Sequence, residues 1–430
     1  MARRRLPMTT VVRRIVVVVC LLVVLAASAL WRQSFAAFSA TVSATGSLSA
    51  ASQFVTCVAR TMTPVWMSGF EGGVLTTGGN GFFNIINGGG STLDTAAPRT
   101  GAYALRIVDA SASGSQQYVA TTIAVTKTLV TRFAIRLNAL PSGDVAQLAE
   151  FVNDAGQTRS GQLGYNAAAQ RFTFGYGSGT KQLSSMTVTA GTWYVVDARM
   201  NTTANPNVAD WAVDGVAQTQ ATYAGTSGNF FTLRWGGNTS GDMFDIRFDD
   251  IVVDTDTANY PIGPGGIHRL APDSVTAVTD ANGYLQNDDS TAVTGASWDR
   301  LDDVPMSTMT DFVKQTAVDA NAYLEVGLQN TAQPGCVNAV QGLLSVRSSA
   351  TQANSAKVSL FDDATERVVL SGDMSPGTSA GQYKATPVAA GSGPWTVAKL
   401  NALRARMGYA TAMGGQPYFD AVFVEADISS

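Results

Sequence analysis

The stretch Trp211–Ala217, with the sequence WAVDGVA, contains two short strands joined by a tight turn, and it decides the fold class. Asp214 and Gly215 supply the positive φ angles that a two-residue type I′ turn requires. Just upstream, Tyr194–Met200 places apolar side chains on one face and polar ones on the other, as in a half-buried strand. We therefore predict a β-hairpin at 211–217 and a strand before it.

The same alternation recurs on both sides of the hairpin. Apolar and polar residues alternate at 132–138, 171–174 and 244–248, and the region from Trp66 to Thr257 carries no convincing helical period. Many short strands at this spacing predict an all-β sandwich or jelly roll.

Five short segments of this region resemble a known fold family. They are 68–73 (SGFEGG), 101–107 (GAYALRI), 191–194 (GTWY), 211–215 (WAVDG) and 248–253 (FDDIVV). Their order is similar to that of concanavalin A-like, laminin-G-type jelly rolls. The resemblance implies a lectin-like jelly-roll domain over residues 62–258. It implies no activity, because function belongs to sites and not to folds.

A second domain is predicted beyond a linker. Residues 259–266 (NYPIGPGG) are rich in Pro and Gly and predict that linker. Thr396 can cap a helix at Val397–Arg404, which carries an apolar face. Further strand patterns lie at 322–328, 337–346, 357–361, 367–370 and 419–426. We predict a second, smaller β-sandwich with one helix at 267–430, an arrangement that looks like proteins of bacterial surfaces and phage particles.

The N-terminal segment indicates export. Arg13 and Arg14 precede Ile15–Leu30, sixteen apolar or small residues without a charge. This length lies between a secretory signal and a spanning helix, so residues 1–39 are predicted to be a cleaved signal peptide or a retained membrane anchor. The tract 35–46 (FAAFSATVSATG) resembles signal regions of exported Gram-positive surface proteins, and residues 40–61 are predicted to form a small-residue linker arm. The body of the protein is thus expected to be secreted or held at a bacterial cell surface.

The charge distribution argues against polyanionic partners. Residues 1–39 carry six arginines and no acid, which leaves 22 of the 28 basic residues against 32 acidic ones, a net charge of −10. Such an acidic body repels nucleic acid and anionic lipid. Membrane contact is expected only through an uncleaved N-terminal segment, and a homo-oligomer is left open.

The cysteine count allows one disulfide bond beyond the predicted signal. Beyond the signal, only Cys57 and Cys336 remain. Outside the cytoplasm these two can form a bridge between the N-terminal arm and the C-terminal domain, or can stay as buried thiols.

The sequence offers little for catalysis. Jelly-roll glucanases commonly place their carboxylates as E-x-D-x-x-E on one strand, and neither Glu71 nor Glu150 has an acid two residues away. His268 is the single histidine, so a His metal cluster or a Ser-His-Asp triad has almost no material. We therefore expect no enzyme, with a polysaccharide hydrolase or lyase as the remote alternative.

Calcium is the ion that the sequence favours, because it takes about six to eight oxygen ligands from carboxylates and carbonyls. In sandwich modules of this kind, an early Phe-Glu and a late Asp-Asp strand can come together around a structural ion. The matching residues here are Glu71, Asp249 and Asp250. Strand alternation places Asp249 and Asp250 on opposite faces, so at most one should point at any site. The alternative is that Glu71 begins a strand and the Asp pair caps a sheet edge.

Sugar binding needs aromatic platforms with polar neighbours. The candidates are Trp235, beside Arg234 and Asn238, together with Tyr165 and Tyr176 in Gly-rich contexts. Large aromatics mostly serve packing, so a core position for Trp235 is the alternative.

These observations favour an exported, non-catalytic surface protein whose lectin-like domain binds a glycan or another cell-surface ligand. The alternative is a structural subunit of an extracellular appendage or phage-like particle, whose contacts would be between proteins. Exposed aromatics on a concave face would favour sugar, whereas a flat apolar patch would favour assembly.

Overall fold

A computed structural model describes residues 62–429, apart from gaps at 63, 78–81, 111–115, 155–159, 178, 226–227, 238–242, 307–309, 318, 320, 349–353, 363–364, 375–380, 391–392 and 410–415. The predicted signal or anchor (1–39), the arm (40–61) and Cys57 lie outside the described residues. Within them, no helix is both long and apolar enough to cross a membrane.

Among the described residues, sixteen strands build the first sandwich. They are β1 Trp66–Ser68, β2 Ile85–Asn87, β3 Ser91–Asp94, β4 Ala104–Asp109, β5 Gln117–Thr126, β6 Thr128–Leu137, β7 Val145–Asn153, β8 Gly161–Asn166, β9 Arg171–Tyr176, β10 Gln182–Leu183, β11 Trp193–Asn201, β12 Asn207–Val213, β13 Val216–Ala217, β14 Ala221–Tyr223, β15 Phe230–Gly237 and β16 Phe244–Asp254. The predicted hairpin is the β12–β13 pair, with Asp214 and Gly215 at positive φ in its turn.

These strands form two antiparallel sheets around one core. A nine-stranded sheet runs β13-β12-β11-β6-β16-β4-β3, with β1 on β16 and β14 on β12. A seven-stranded sheet runs β10-β9-β8-β7-β15-β5-β2. The core between them is rich in aromatic side chains, among them Phe133, Phe174 and Trp211. Alternating residues of both sheets supply it, as the period-2 pattern requires.

Eleven strands and one helix build the second sandwich. They are β17 Gly265–Leu270, β18 Pro272–Thr279, β19 Leu285–Asn287, β20 Val313–Gln315, β21 Tyr323–Leu328, β22 Cys336–Ser348, β23 Asn354–Asp362, β24 Thr365–Met374, β25 Gly381–Lys384, α1 Val397–Asn401, β26 Arg404–Tyr409 and β27 Pro417–Ser429. A six-stranded sheet runs β19-β20-β27-β22-β25, with β17 on β27. A five-stranded sheet runs β18-β21-β26-β23-β24. Together with the first sandwich, this confirms the all-β prediction, and α1 is the one α-helix among the residues that the structure describes.

The helix begins where the sequence indicates and ends earlier. The Thr396 side chain accepts a hydrogen bond from Lys399 N, which satisfies a free N–H of the first turn. The prediction extended the helix to Arg404, and this is wrong, because α1 ends at Asn401 and Arg404 already begins β26.

The two sandwiches meet at a buried interface. Met67 and Val252 of the first pack in one apolar cluster with Ile267 and Ala339 of the second. Within the interface, Arg132 Nη2 and Asp427 Oδ1 form an ion pair at 2.7 Å, and both side chains are fully buried. Residues 260–264 connect the sandwiches, between a 3-10 turn at Thr257–Asn259 and β17.

Cys336 lies at the start of β22, and its sulfur is in a disulfide. The other two cysteines of the chain, Cys20 and Cys57, lie outside the described residues, so the pairing with Cys57 stays a prediction.

Candidate functional site

All three aromatic residues considered for sugar binding lie in the core. Trp235 has no exposed surface and stacks on Trp66, with ring centroids 5.2 Å apart. Tyr165 and Tyr176 are also buried between the two sheets of the first sandwich. These three rings therefore offer no open face to a ligand, because β8, β9 and β15 turn them inward. Asn238 lies outside the described residues.

Arg234 lies on the opposite face of β15 from Trp235, as strand alternation requires. Its Nη1 pairs with Glu150 Oε2 at 2.7 Å, and its guanidinium lies 5.2 Å from the centre of the Tyr118 ring. Gln162 Nε2 also donates to Glu150, at 3.5 Å. Glu150 is fully buried, so these groups form an enclosed polar network on the outer side of the seven-stranded sheet.

Glu71, Asp249 and Asp250 converge on the loop Arg99–Tyr103. Glu71 accepts hydrogen bonds from the backbone N–H groups of Ala102 and Tyr103, at 3.0 to 3.3 Å. Asp249 accepts from the N–H groups of Arg99 and Thr100. Asp250 pairs with the Arg99 guanidinium at 2.5 Å and accepts from the Thr100 hydroxyl. The three carboxyl groups thus hold one loop through three different sets of donors.

The prediction that Asp249 and Asp250 lie on opposite faces is wrong. The register of β16 against β6 shifts between Asp249 and Val252, and Asp250 has a φ of 53°. A bulge of this kind interrupts the alternation and re-aims a side chain. Both aspartates therefore reach Thr100 from consecutive positions.

Burial dominates the electrostatics of this cluster. It raises the pKa of Glu71 to about 8, and the nearby Glu425 adds to the shift. Burial also raises the pKa of Asp249, with a further contribution from Asp250. In the part of the chain that the structure describes, no three His, Cys, Asp or Glu side chains are grouped to hold a metal ion. Calcium at Glu71, Asp249 and Asp250 stays a prediction, and the cation that the structure places beside Asp250 is Arg99.

A polar surface that the sequence analysis did not single out lies on the second sandwich. Leu324, Val326, Ala405 and Met407 of the five-stranded sheet point into the core. The residues that alternate with them point outward, and we call their surface the arginine face. It is defined by Tyr323, Glu325, Lys357, Ser359, Phe361, Arg404 and Arg406.

A buried carboxylate organises the arginine face. Glu325 Oε1 pairs with Arg404 Nη1 at 2.8 Å, and Oε2 accepts from Nε and Nη2 of Arg406 at 3.1 and 2.7 Å. The Arg406 guanidinium also lies over the Tyr323 and Phe361 rings, 3.9 and 4.1 Å from their centres. Arg406 is therefore fixed by two charge-assisted bonds and by two aromatic rings.

A cavity of about 390 Å³ opens on this face. Its described lining includes the side chains of Asn321, Tyr323, Lys357, Glu366 and Arg406. Glu366 Oε1 lies 2.5 Å from Lys357 Nζ and accepts from the Ser359 hydroxyl at 2.6 Å. Hydrogen bonds from Lys357 and Ser359 lower the pKa of Glu366, so its carboxylate is charged at neutral pH.

One signal could have found the arginine face. The sequence of β26, RARMGY, alternates arginine with apolar residues, and β21 alternates Tyr323 and Glu325 with Leu324 and Val326. Glu325 and Arg406 are 81 positions apart in the sequence and lie opposite each other in neighbouring strands. The strand patterns alone do not predict this pairing.

No protein-family model matches the chain, and no curated protein matches it. Among solved structures, it is similar to the cellulose-induced protein Cip1, at 15% identity and a TM-score of 0.33, over 40% of this chain and 88% of that one. It is similar to the catalytic domain of the glycoside hydrolase family 131 protein from Coprinopsis cinerea, at 15% identity and a TM-score of 0.31, over 46% and 96%. It is also similar to the CBM22 tandem of Xyn10C from Paenibacillus barcinonensis, at 11% identity and a TM-score of 0.26, over 86% and 100%. Similarity at this level carries nothing about function to this chain.

Proposed function

We propose that this chain is an exported glycan-binding protein and that its ligand occupies the cavity of the arginine face. One observation carries the proposal. A cavity of about 390 Å³ gathers an amide, an amine, a carboxylate and a guanidinium beside the Tyr323 ring. The cavity is open at the surface of the five-stranded sheet and has the size of a small-ligand site.

The chemistry of the lining suits sugar hydroxyls. Each hydroxyl both donates and accepts a hydrogen bond. Glu366 supplies acceptors, Lys357 and Arg406 supply donors, and Asn321 supplies both. A ligand rich in hydroxyl groups can therefore satisfy all of these side chains at once.

The site is ordered before a ligand arrives. Glu325 and two aromatic rings hold Arg406, and Lys357 and Ser359 hold Glu366. Side chains that are already fixed lose little conformational entropy on binding, so more of the contact energy appears as affinity.

Binding is favoured over hydrolysis at this cavity. Cleavage of a glycosidic bond normally requires a carboxylic acid whose raised pKa keeps it protonated. Glu366 is the carboxyl group of the described lining, and Lys357 and Ser359 lower its pKa. It can accept hydrogen bonds from a sugar, but it holds no proton to give to a leaving group.

Export rests on the N-terminal sequence. The apolar run Ile15–Leu30 after Arg13 and Arg14 supports secretion or a place at the cell surface. The intact mass of the mature protein is expected to show the loss of 29 or 39 residues. A full-length mass in the membrane fraction would identify residues 1–39 as an anchor instead.

A glycan array with the full chain, followed by calorimetric titration of the strongest ligand, tests the binding proposal. Arg406→Ala is expected to weaken binding at least tenfold, since it removes the guanidinium donors that remain free of Glu325 and the cover of Tyr323. Arg199→Ala is the matched control. Arg199 pairs with Asp210 and lies 4.9 Å from the centre of the Tyr260 ring, on the other sandwich. This control should bind as the wild type does.

Two outcomes would contradict the proposal. Equal binding by wild type and Arg406→Ala would show that the ligand binds outside the arginine face. Failure to bind any glycan, together with a large homo-oligomer on size exclusion, would favour the structural-subunit alternative.

A further inference from the structure

A group of aspartates in the second sandwich has no role in the arginine face. Asp299 lies in the 3-10 turn Ser297–Arg300, and Asp302, Asp303 and Asp311 lie between this turn and β20. Asp420 lies on β27 beside this segment. Asp302 pairs with Ala421 through the backbone, which brings the segment against the strand. We call this group the aspartate cluster.

Asp420 is the unusual member of the cluster. It is fully buried, and neither of its carboxylate oxygens has a hydrogen-bond partner among the described residues. The hydroxyl of Ser345, which lies beside Asp420, also has no hydrogen-bond partner among the described residues. Buried polar groups nearly always have a hydrogen-bond partner, because a buried group without one loses its hydrogen bonds to water and gains none in the protein.

An aspartate in the last strand of the first sandwich, at a similar place in the sequence pattern, shows how such a carboxylate can be paired. Phe244-Asp245 precedes Phe248 in β16 with the spacing of Phe419-Asp420 before Phe423 in β27. Arg106 pairs with both oxygens of Asp245, at 2.7 and 3.0 Å, and Asn138 donates a further bond. Asp420 has no such clamp among the described residues, although its burial is greater.

Among the described residues, no cation forms an ion pair with Asp420. Burial raises its pKa to about 8, Ser345 lowers it, and the neighbouring Asp303 raises it again. Arg347 is the nearby cation that acts on it, but its guanidinium lies over the Phe312 and Tyr418 rings, 4.9 and 5.0 Å from their centres. Asp303 accepts hydrogen bonds from the backbone N–H and the hydroxyl of Thr310, at 2.8 to 2.9 Å. Asp303 and Asp420 are thus neighbouring carboxyl groups, and Arg347, the cation that acts on Asp420, packs on two aromatic rings.

We propose that Asp303 and Asp420 bind a calcium ion between β27 and residues 301–306. Hard oxygen donors of this kind suit calcium, which completes its shell with hydroxyl, carbonyl and water oxygens. Ser345 Oγ is placed to contribute one of them. No three carboxyl groups are grouped for a metal in the described residues, so the ion would be held by two carboxylates and by neutral oxygens.

Calorimetric titration of calcium chloride into the chelator-treated full chain tests this site. The wild type is expected to bind calcium, and Asp420→Asn to bind it at least tenfold more weakly. Chelator should lower the melting temperature of the wild type by several degrees and leave that of Asp420→Asn unchanged. Asp303→Asn, at a partly exposed position, serves as the second variant if Asp420→Asn fails to fold.

Glu71→Gln distinguishes this site from the calcium site predicted in the first sandwich. It should keep the calcium-binding event that Asp420→Asn loses. Loss of binding in Glu71→Gln with full binding in Asp420→Asn and Asp303→Asn would overturn the proposal. Absence of calcium binding by the wild type would overturn it as well, and Asp303 and Asp420 would then share a proton.

Discussion

Glu71 is a carboxyl group enclosed where the two sandwiches meet. Its backbone N–H donates to Glu425 Oε1 at 3.1 Å, and its own oxygens accept from the loop Arg99–Tyr103. Gly101 passes so close to this carboxyl that a Cβ there would lie 2.2 Å from its Cδ. This enclosure explains why the charged form of Glu71 is disfavoured.

The buried Glu71 predicts a pH-dependent difference in stability. Its pKa is about 8 in the folded chain against 4.5 in its ordinary state. The stability that the neutral group provides is complete below pH 4.5 and is lost as the pH rises to 8. Glu71→Gln removes this loss, so the variant should gain on the wild type between pH 5 and pH 9, by on the order of a few kcal/mol.

Denaturant midpoints of both proteins at pH 5, 7 and 9 measure this gain. Other groups titrate in both proteins and largely cancel in the difference. A difference that stays constant over this range would show that Glu71 titrates normally.

At the level of strands, the interface between the sandwiches depends on β6 and β27. Arg132 of β6 and Asp427 of β27 form a fully buried ion pair, and Asn338 also donates to Asp427 at 2.9 Å. Removing one partner of such a pair leaves a buried charge without its ion-pair partner, at a cost of about 3–5 kcal/mol.

Asp427→Asn is therefore expected to destabilise the chain by about 3–5 kcal/mol in chemical unfolding. Asp210→Asn is the control, because it breaks the partly exposed pair with Arg199 and should cost about 1 kcal/mol or less. The double variant Arg132→Met, Asp427→Leu should recover part of the loss, since it removes both charges together. Equal effects of the two single variants would show that the buried pair contributes no more than a surface pair.

Strand patterns were predictable where alternation was regular and failed where it was interrupted. The β12–β13 hairpin and β21 follow the period-2 pattern closely. The bulge at Asp250 could not be foreseen, because it arises from how β16 meets β6 and not from local propensity. Similarly, Val397, Leu400 and Leu403 share a helical face, but the alternation of β26 takes over within the same stretch and ends α1 early.

At the scale of the molecule, the sequence indicated the sandwich architecture but not the position of the site. The aromatic residues that suggested a sugar platform, Trp235 above all, complete the apolar core of the first sandwich. The candidate site depends on cross-strand neighbours in the second sandwich, such as Glu325 with Arg406 and Arg406 with Ser359. Such pairs join distant parts of the chain, so a single sequence does not reveal them.

The central claim is that a glycan occupies the cavity of the arginine face. Chemical labelling of amines and carboxyl groups in the full chain, with and without the strongest glycan ligand, tests it most directly when read by mass spectrometry. The ligand is expected to protect Lys357 and Glu366, which line the cavity, and to leave Lys181 on the first sandwich equally labelled. Unchanged labelling of Lys357 and Glu366 under saturating glycan would contradict it.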